Sequence, residues 1–117
     1  MQASTVTDPS IETVASLGLE RQALELEVCG YTVVENAIDS DVTARALEAT
    51  LKTFGEREGR LPDVATGKDY EGYWVSRCML WQDPVFEEVV MAEKVLALVD
   101  YTVGNECLLS TLTAHMR

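Results

Sequence analysis

The side chains able to do chemistry in this sequence are few and widely spaced. His115 is the only histidine among 117 residues, and the cysteines Cys29, Cys78 and Cys107 form no C-x-x-C pair. Because structural zinc sites draw on clusters of such ligands, we expect no metal site built within this chain. An odd number of distant cysteines is no disulfide framework, so we interpret them as reduced, buried or half-buried thiols of a cytoplasmic protein.

Arg77 stands between two tryptophans, in a segment whose composition is typical of a strand. A guanidinium can hold a carboxylate with two parallel hydrogen bonds, so we take Arg77 and Trp81 as candidate substrate-binding residues. Two alternatives stay open. Arg77 can equally stack on an indole or pair with a surface acid, and the aromatic residues can equally belong to the core. Those aromatic residues are Tyr70, Tyr73, Trp74 and Trp81.

The acidic pairs of the chain offer no catalytic residue. Glu87 and Glu88, like Asp39 and Asp41, lie where helices are expected to begin, and the helix dipole favours acids there. Twenty acidic residues against nine basic ones give a net charge of −11. Nucleic acids and anionic membranes are therefore not expected as partners. No apolar run approaches the roughly 18 residues of a membrane helix.

Hydrophobic periodicity predicts four helices, following a flexible lead-in over 1–18 that holds at most one helical turn after Asp8. The predicted helices span 19–29, 41–55, 84–92 and 93–103. Gly30 and Gly104 follow two of them, and Gly30 is expected to adopt the left-handed conformation that ends a helix. In the second helix, one apolar stripe is expected to face the core. That stripe consists of Ala44, Leu47, Leu51 and Phe54.

Three segments are predicted to be strands, and a long loop is predicted over 55–72. The strands are 31–35, 73–81 and 107–116. In the second, Val75, Arg77, Met79 and Trp81 are expected to share one face. In the third, Leu112, Ala114 and Met116 alternate with Thr111, Thr113 and His115, which predicts one apolar and one polar face. This order of helices and strands indicates an α+β fold.

Several of these segments coincide in an order that resembles a known family. They are GYTVV at 30–34, Asp39-Ser40 before a helix, DPVF at 83–86, VLALV at 95–99 ending near Gly104, and the strand 107–116. Together they resemble the N-terminal half of the phytanoyl-CoA dioxygenase family, over residues 19–117. The resemblance implies a partial domain, namely the N-terminal helical and strand part of a double-stranded β-helix, or jelly roll.

The family implies an enzyme that uses Fe(II), 2-oxoglutarate and O₂ to hydroxylate a small organic substrate. Its iron is held by two histidines and one carboxylate. This sequence departs from that pattern, because it has one histidine and no H-x-D or H-x-E motif. In the family, H-x-D follows a Pro-Gly turn just after the strand that here reaches Arg117. We therefore expect a part of the domain that stops before the metal-binding core, with no cofactor bound and no activity alone.

The resemblance also implies a role for the polar face of the last strand. In a complete family member, Thr111, Thr113 and His115 would line the co-substrate pocket. Their alternation fits a solvent-facing edge equally well. The alternative to a dioxygenase part is a stand-alone acidic α+β module, whose exposed final strand pairs with a partner protein or with a second copy of the chain.

Overall fold

The computed structural model describes residues 8–59 and 74–116. Within them the chain is mostly helical, with a small antiparallel sheet, which agrees with α+β only in its coarse outline. The helices are α1 (Pro9–Ser16), α2 (Glu20–Cys29), α3 (Ser40–Glu58), α4 (Val85–Val90) and α5 (Glu93–Val103). The strands are β1 (Trp74–Ser76) and β2 (Ala114–Met116), and a 3₁₀ turn spans Met79–Trp81. None of the described helices is both long enough and apolar enough to span a membrane.

The chain divides into two compact units, each with its own core. The first runs to Ala37 and includes Met91–Leu108, so it contains α1, α2 and α5. Its core consists of Val14, Leu19, Ala23, Ala97 and Leu98. The second unit comprises Ile38–Val90 and the chain from Leu109, with α3, α4 and both strands. Its core consists of Ala49, Met79, Val85 and Phe86.

Helix α1 occupies much of the segment expected to be a flexible lead-in. Asp8 caps it, because its Oδ1 accepts hydrogen bonds from the Ser10 backbone N–H at 2.9 Å and from the Ser10 hydroxyl at 2.8 Å. These bonds hold the pKa of Asp8 below its ordinary value. Val14 is buried in the first core, and α1 packs against α5. A cap together with a buried side chain orders residues 9–16 over two turns, where at most one was expected.

Helix α2 ends as predicted, but the strand predicted after it does not form. Gly30 has φ +82° in the left-handed region, and its N–H donates to the Leu26 carbonyl at 3.0 Å. Residues 31–34 then run without any ladder partner among the described residues. Thr32 and Val34 are half-buried, while Tyr31 and Val33 are exposed. The prediction of a strand is wrong here because a strand is defined by its hydrogen-bonded neighbour, which local composition cannot supply.

Helix α3 forms as predicted and continues to Glu58, so residues 55–58 are helical where a loop was expected. The loop's remainder falls mostly outside the described residues, as do Tyr70 and Tyr73. The predicted core stripe is largely wrong. Ala44 and Leu47 are exposed, whereas Ala46 and Ala49 pack with Val85 and Phe86. Of the predicted stripe only Phe54, 1% exposed, is fully buried.

The two remaining predicted strands are much shorter in the structure. β1 and β2 pair antiparallel, with Val75 opposite His115. β1 ends at Ser76, and Cys78, whose φ of +58° lies in the left-handed region, leads into the 3₁₀ turn. The Met79 N–H still donates to the Leu112 carbonyl at 3.0 Å, which fixes the turn beside the last segment of the chain. The prediction of a continuous strand over 73–81, with its single face, is therefore wrong.

Candidate functional site

The polar residues of the last segment follow the predicted alternation only in part. The hydroxyl oxygens of Thr111 and Thr113 are 3.3 Å apart, and both Thr111 and His115 are exposed. Leu112 and Ala114 point the other way and pack against the second core. Thr111 and His115 are thus exposed, whereas Thr113 is half-buried like Leu112 and Ala114, and the role of Thr111, Thr113 and His115 in lining a co-substrate pocket stays a prediction.

Arg77 and Trp81 are both exposed, but no common strand face holds them together. β1 ends at Ser76, so Arg77 lies in the connection and Trp81 in the 3₁₀ turn. Trp81 is 87% exposed, and the alternative that placed it in the core is wrong. Met79, two residues earlier, is the side chain buried in this turn. A tight turn has a period near three, which separates residues that a period of two would align.

Among the described residues, no group of three or more histidine, cysteine and carboxylate side chains is placed to hold a metal ion. The residues present therefore do not fit an iron site made of two histidines and one carboxylate. All three cysteines are free, as expected, but all three are exposed, so the expectation of buried or half-buried thiols is wrong.

A polar cleft, here called the α2 cleft, lies in the first unit and was not predicted from the sequence. Its volume is about 540 Å³, and residues 31–35 form one wall along their whole length. Helix α2 forms the opposite wall, and Lys94 from the start of α5 contributes a cation. The sequence carries one signal of this cleft, the i, i+4 pair Arg21 and Glu25. The signal is incomplete because the sequence predicts a strand for residues 31–35, which line the cleft together with that pair.

Glu25 is a fixed anion of the α2 cleft. The Arg21 Nε donates to its Oε1 at 2.9 Å, and the Thr32 hydroxyl donates to its Oε2 at 2.6 Å. The bond from Thr32 is the larger cause, followed by that from Arg21, and together they hold the pKa of Glu25 below its ordinary value. With both oxygens engaged, Glu25 positions the wall of the cleft and is a poor proton acceptor.

The α2 cleft is equipped for binding rather than for catalysis. Gln22 also lines the cleft, and its Oε1 atom is buried and accepts no hydrogen bond from any described residue, which leaves an unsatisfied acceptor in the cleft wall. The wall along residues 31–34 presents backbone groups that no ladder satisfies. Cys29 lines the cleft, but the cleft contains no histidine that could activate its thiol.

Comparison of the chain with protein-family models, with curated proteins and with solved structures finds no significant match.

Proposed function

We propose that this chain is the N-terminal part of a phytanoyl-CoA dioxygenase-like domain, whose complete form uses Fe(II) and 2-oxoglutarate to hydroxylate a small organic substrate in the cytoplasm. The observation that carries the proposal is the pairing of β1 with β2. These two segments are distant in sequence, and both belong to the part of the chain in which the family resemblance lies. In the proposed domain, this pair of strands would form the first part of a jelly-roll sheet.

The size of the sheet supports the same proposal. Each strand has three residues, and a two-stranded sheet of that length has little stability of its own in water. Residues 31–34 are a second place where backbone groups lack a ladder partner among the described residues. A jelly roll supplies such partners, because its sheets are built from several strands.

In the proposed domain, the described residues have supporting roles. Thr111, Thr113 and His115 would face the co-substrate, and Arg77 and Trp81 are the candidates for contacting the substrate. Because the described residues do not fit an iron site, the metal would be held by residues that this part of the chain does not provide. The chain by itself is then an inactive scaffold.

The coding sequence beyond the codon for Arg117 tests the proposal directly. A Pro-Gly turn followed by H-x-D, in the same or a shifted frame, is the expected result. A stop codon followed by unrelated sequence would contradict the proposal.

A second candidate function is a protein-binding module that adds a strand from a partner. The observation that favours it is the exposure of the segment before β2, where Leu108 is 92% exposed and Leu109 is 55% exposed. Residues 107–113 form no ladder among the described residues, and within this segment the Leu112 carbonyl already accepts from the Met79 N–H, so the stretch before Leu112 is the part whose backbone groups are open to a partner strand. The simplest partner would be a second copy of the chain, which would pair with this segment to form a dimer.

Light scattering of a proline variant tests the second candidate. Thr111→Pro removes a backbone donor from the segment, so strand-mediated association should fall. Thr111→Val is the matched control, since it keeps the backbone donor. Equal association of the two variants would contradict this candidate.

A further inference from the structure

Helix α3 carries an apolar groove on the side away from the second core. The groove has a volume of about 660 Å³, and its floor is formed by Ala44, Leu47, Leu51 and Gly55. Leu47 is 53% exposed although a leucine at this position was expected in the core. A stripe at helical spacing that remains open is a surface suited to another helix.

The charges beside the groove indicate which helix fits. Glu48, Lys52 and Glu56 all line it, and all three lie on the same side of the stripe. Although they are spaced i, i+4, they make no ion pair with each other or with any other described residue. Each is therefore available to a partner of opposite charge.

We propose that α3 is a self-complementary docking surface, and that its occupant is the α3 helix of a second copy of this chain, packed antiparallel about a twofold axis near Thr50. In an antiparallel pair related by such an axis, Glu48 of one copy lies level with Lys52 of the other. The symmetry forms this ion pair twice. This proposal is independent of the proposed dioxygenase relationship.

The same axis brings the apolar residues into register. With a rise of about 1.5 Å per residue, the two copies of Leu47 and Leu51 alternate along the seam at intervals of about 3 Å. Ala44 of one copy then lies near Gly55 of the other, where small residues allow the two backbones to approach closely. Leucines in the centre, with charges on one flank, form the usual arrangement of a short antiparallel helix pair.

The interface is small, so a weak monomer–dimer equilibrium is expected rather than a permanent dimer. Sedimentation equilibrium up to about 1 mM protein should detect it. Leu47→Glu should abolish the dimer, because it places a charge in the seam. Leu24→Glu is the matched control, since Leu24 is a 60% exposed leucine on α2, and this variant should dimerise like the wild type.

A charge-swap cycle tests the register of the helix pair. Glu48→Lys places like charges opposite each other at both symmetric positions and should weaken the dimer roughly tenfold. Adding Lys52→Glu to it reverses both charges and should restore the wild-type dissociation constant. Circular dichroism should show the same helical content for every variant.

Three results would overturn the proposal. One is a wild-type chain that stays monomeric at about 1 mM. Another is a dimer that persists in Leu47→Glu and is lost in Thr111→Pro, which would assign association to the last segment of the chain. The third is a double charge swap that fails to restore dimerisation while the helical content is unchanged.

Discussion

At Gly30 the backbone leaves α2 with φ +82°, and a Cβ atom added there would meet no other atom within 4 Å. Any cost of a side chain at this position is therefore local backbone strain, with no contribution from a clash with residues elsewhere in the chain. Glycine adopts the left-handed region freely, asparagine tolerates it, and β-branched residues tolerate it least. Substitutions at Gly30 therefore measure conformational strain without a contribution from side-chain packing.

We expect Gly30→Ala to lower the free energy of unfolding by about 1 kcal/mol, and Gly30→Val to lower it by more. Gly30→Asn should lie between the wild type and Gly30→Ala. Urea denaturation of the four proteins measures the order. A valine variant as stable as the wild type, or an asparagine variant no better than alanine, would contradict this account of the helix end.

Arg45 links two helices of the second unit. Its Nη1 donates to the Glu88 Oε2 at 2.6 Å and its Nη2 to the Oε1 at 3.0 Å, so α3 and α4 share a bidentate ion pair. The hydrogen bonds from Arg45 hold the pKa of Glu88 below its ordinary value of 4.5. Both side chains are partly exposed, at 43% and 49%, so salt screens the interaction.

Glu88→Gln should lower the urea midpoint at pH 7 and low salt. Since the pKa of Glu88 is lowered in the folded chain, its stabilising contribution is present above pH 4.5 and is lost as the pH falls through the lowered value. The difference between wild type and variant should therefore shrink below pH 4.5. Glu87→Gln is the matched control, because Glu87 is a neighbouring carboxylate without an ion pair among the described residues, and this variant should keep the wild-type urea midpoint at pH 7 and low salt.

At the scale of elements, helix α3 shows how a correct helix can have its core face assigned wrongly. Both sides of α3 carry apolar residues, and the side bearing Ala46 and Ala49 is the one that meets α4. Small side chains let the neighbouring helix approach closely, which the larger leucines on the other side would prevent. Hydrophobicity alone favours the leucine side, so the sequence misleads here.

Phe54→Ala should cost about 3–5 kcal/mol of unfolding free energy, because this side chain is 1% exposed and its removal leaves a cavity. Leu47→Ala, in the same predicted stripe, should cost less than about 0.5 kcal/mol at dilute concentration. Chemical denaturation compares them directly. Equal losses would mean that the predicted stripe faces the core after all.

At the scale of the whole molecule, the chain is an acidic two-unit assembly whose described residues offer surfaces for binding but no catalytic constellation. The α2 cleft has a fixed carboxylate, the α3 groove is apolar, and Leu108 and Leu109 in the last segment are exposed. None of these surfaces brings a nucleophile together with a base. The activity of the proposed domain would therefore depend on residues that these surfaces do not contain.

The isolated chain should bind neither Fe(II) nor 2-oxoglutarate tightly. One histidine cannot supply a triad of two histidines and one carboxylate. Isothermal titration with Mn(II), as an oxygen-inert substitute for iron, and then with 2-oxoglutarate is the measurement. Titration with Ca(II) controls for nonspecific attraction to the acidic surface. A stoichiometric Mn(II) site of micromolar affinity or better would contradict the expectation.

The sequence by itself determined the features that depend on neighbouring residues. The left-handed turn at Gly30, the extent of α5 up to Gly104 and the helix following Asp39 are all confirmed. Caps, glycine conformations and short periodicities act within a few residues, so the local sequence carries enough information to specify them.

Only the tertiary structure decided which predicted strands find partners and which helix face is buried. Residues 31–34 have no ladder partner among the described residues, a 3₁₀ turn that buries Met79 follows β1, and α3 turns its small residues inward. The α2 cleft likewise exists only because a segment without a ladder partner lies beside α2. Strand pairing and helix packing join residues far apart in the chain, so their outcome depends on partners that local composition does not identify.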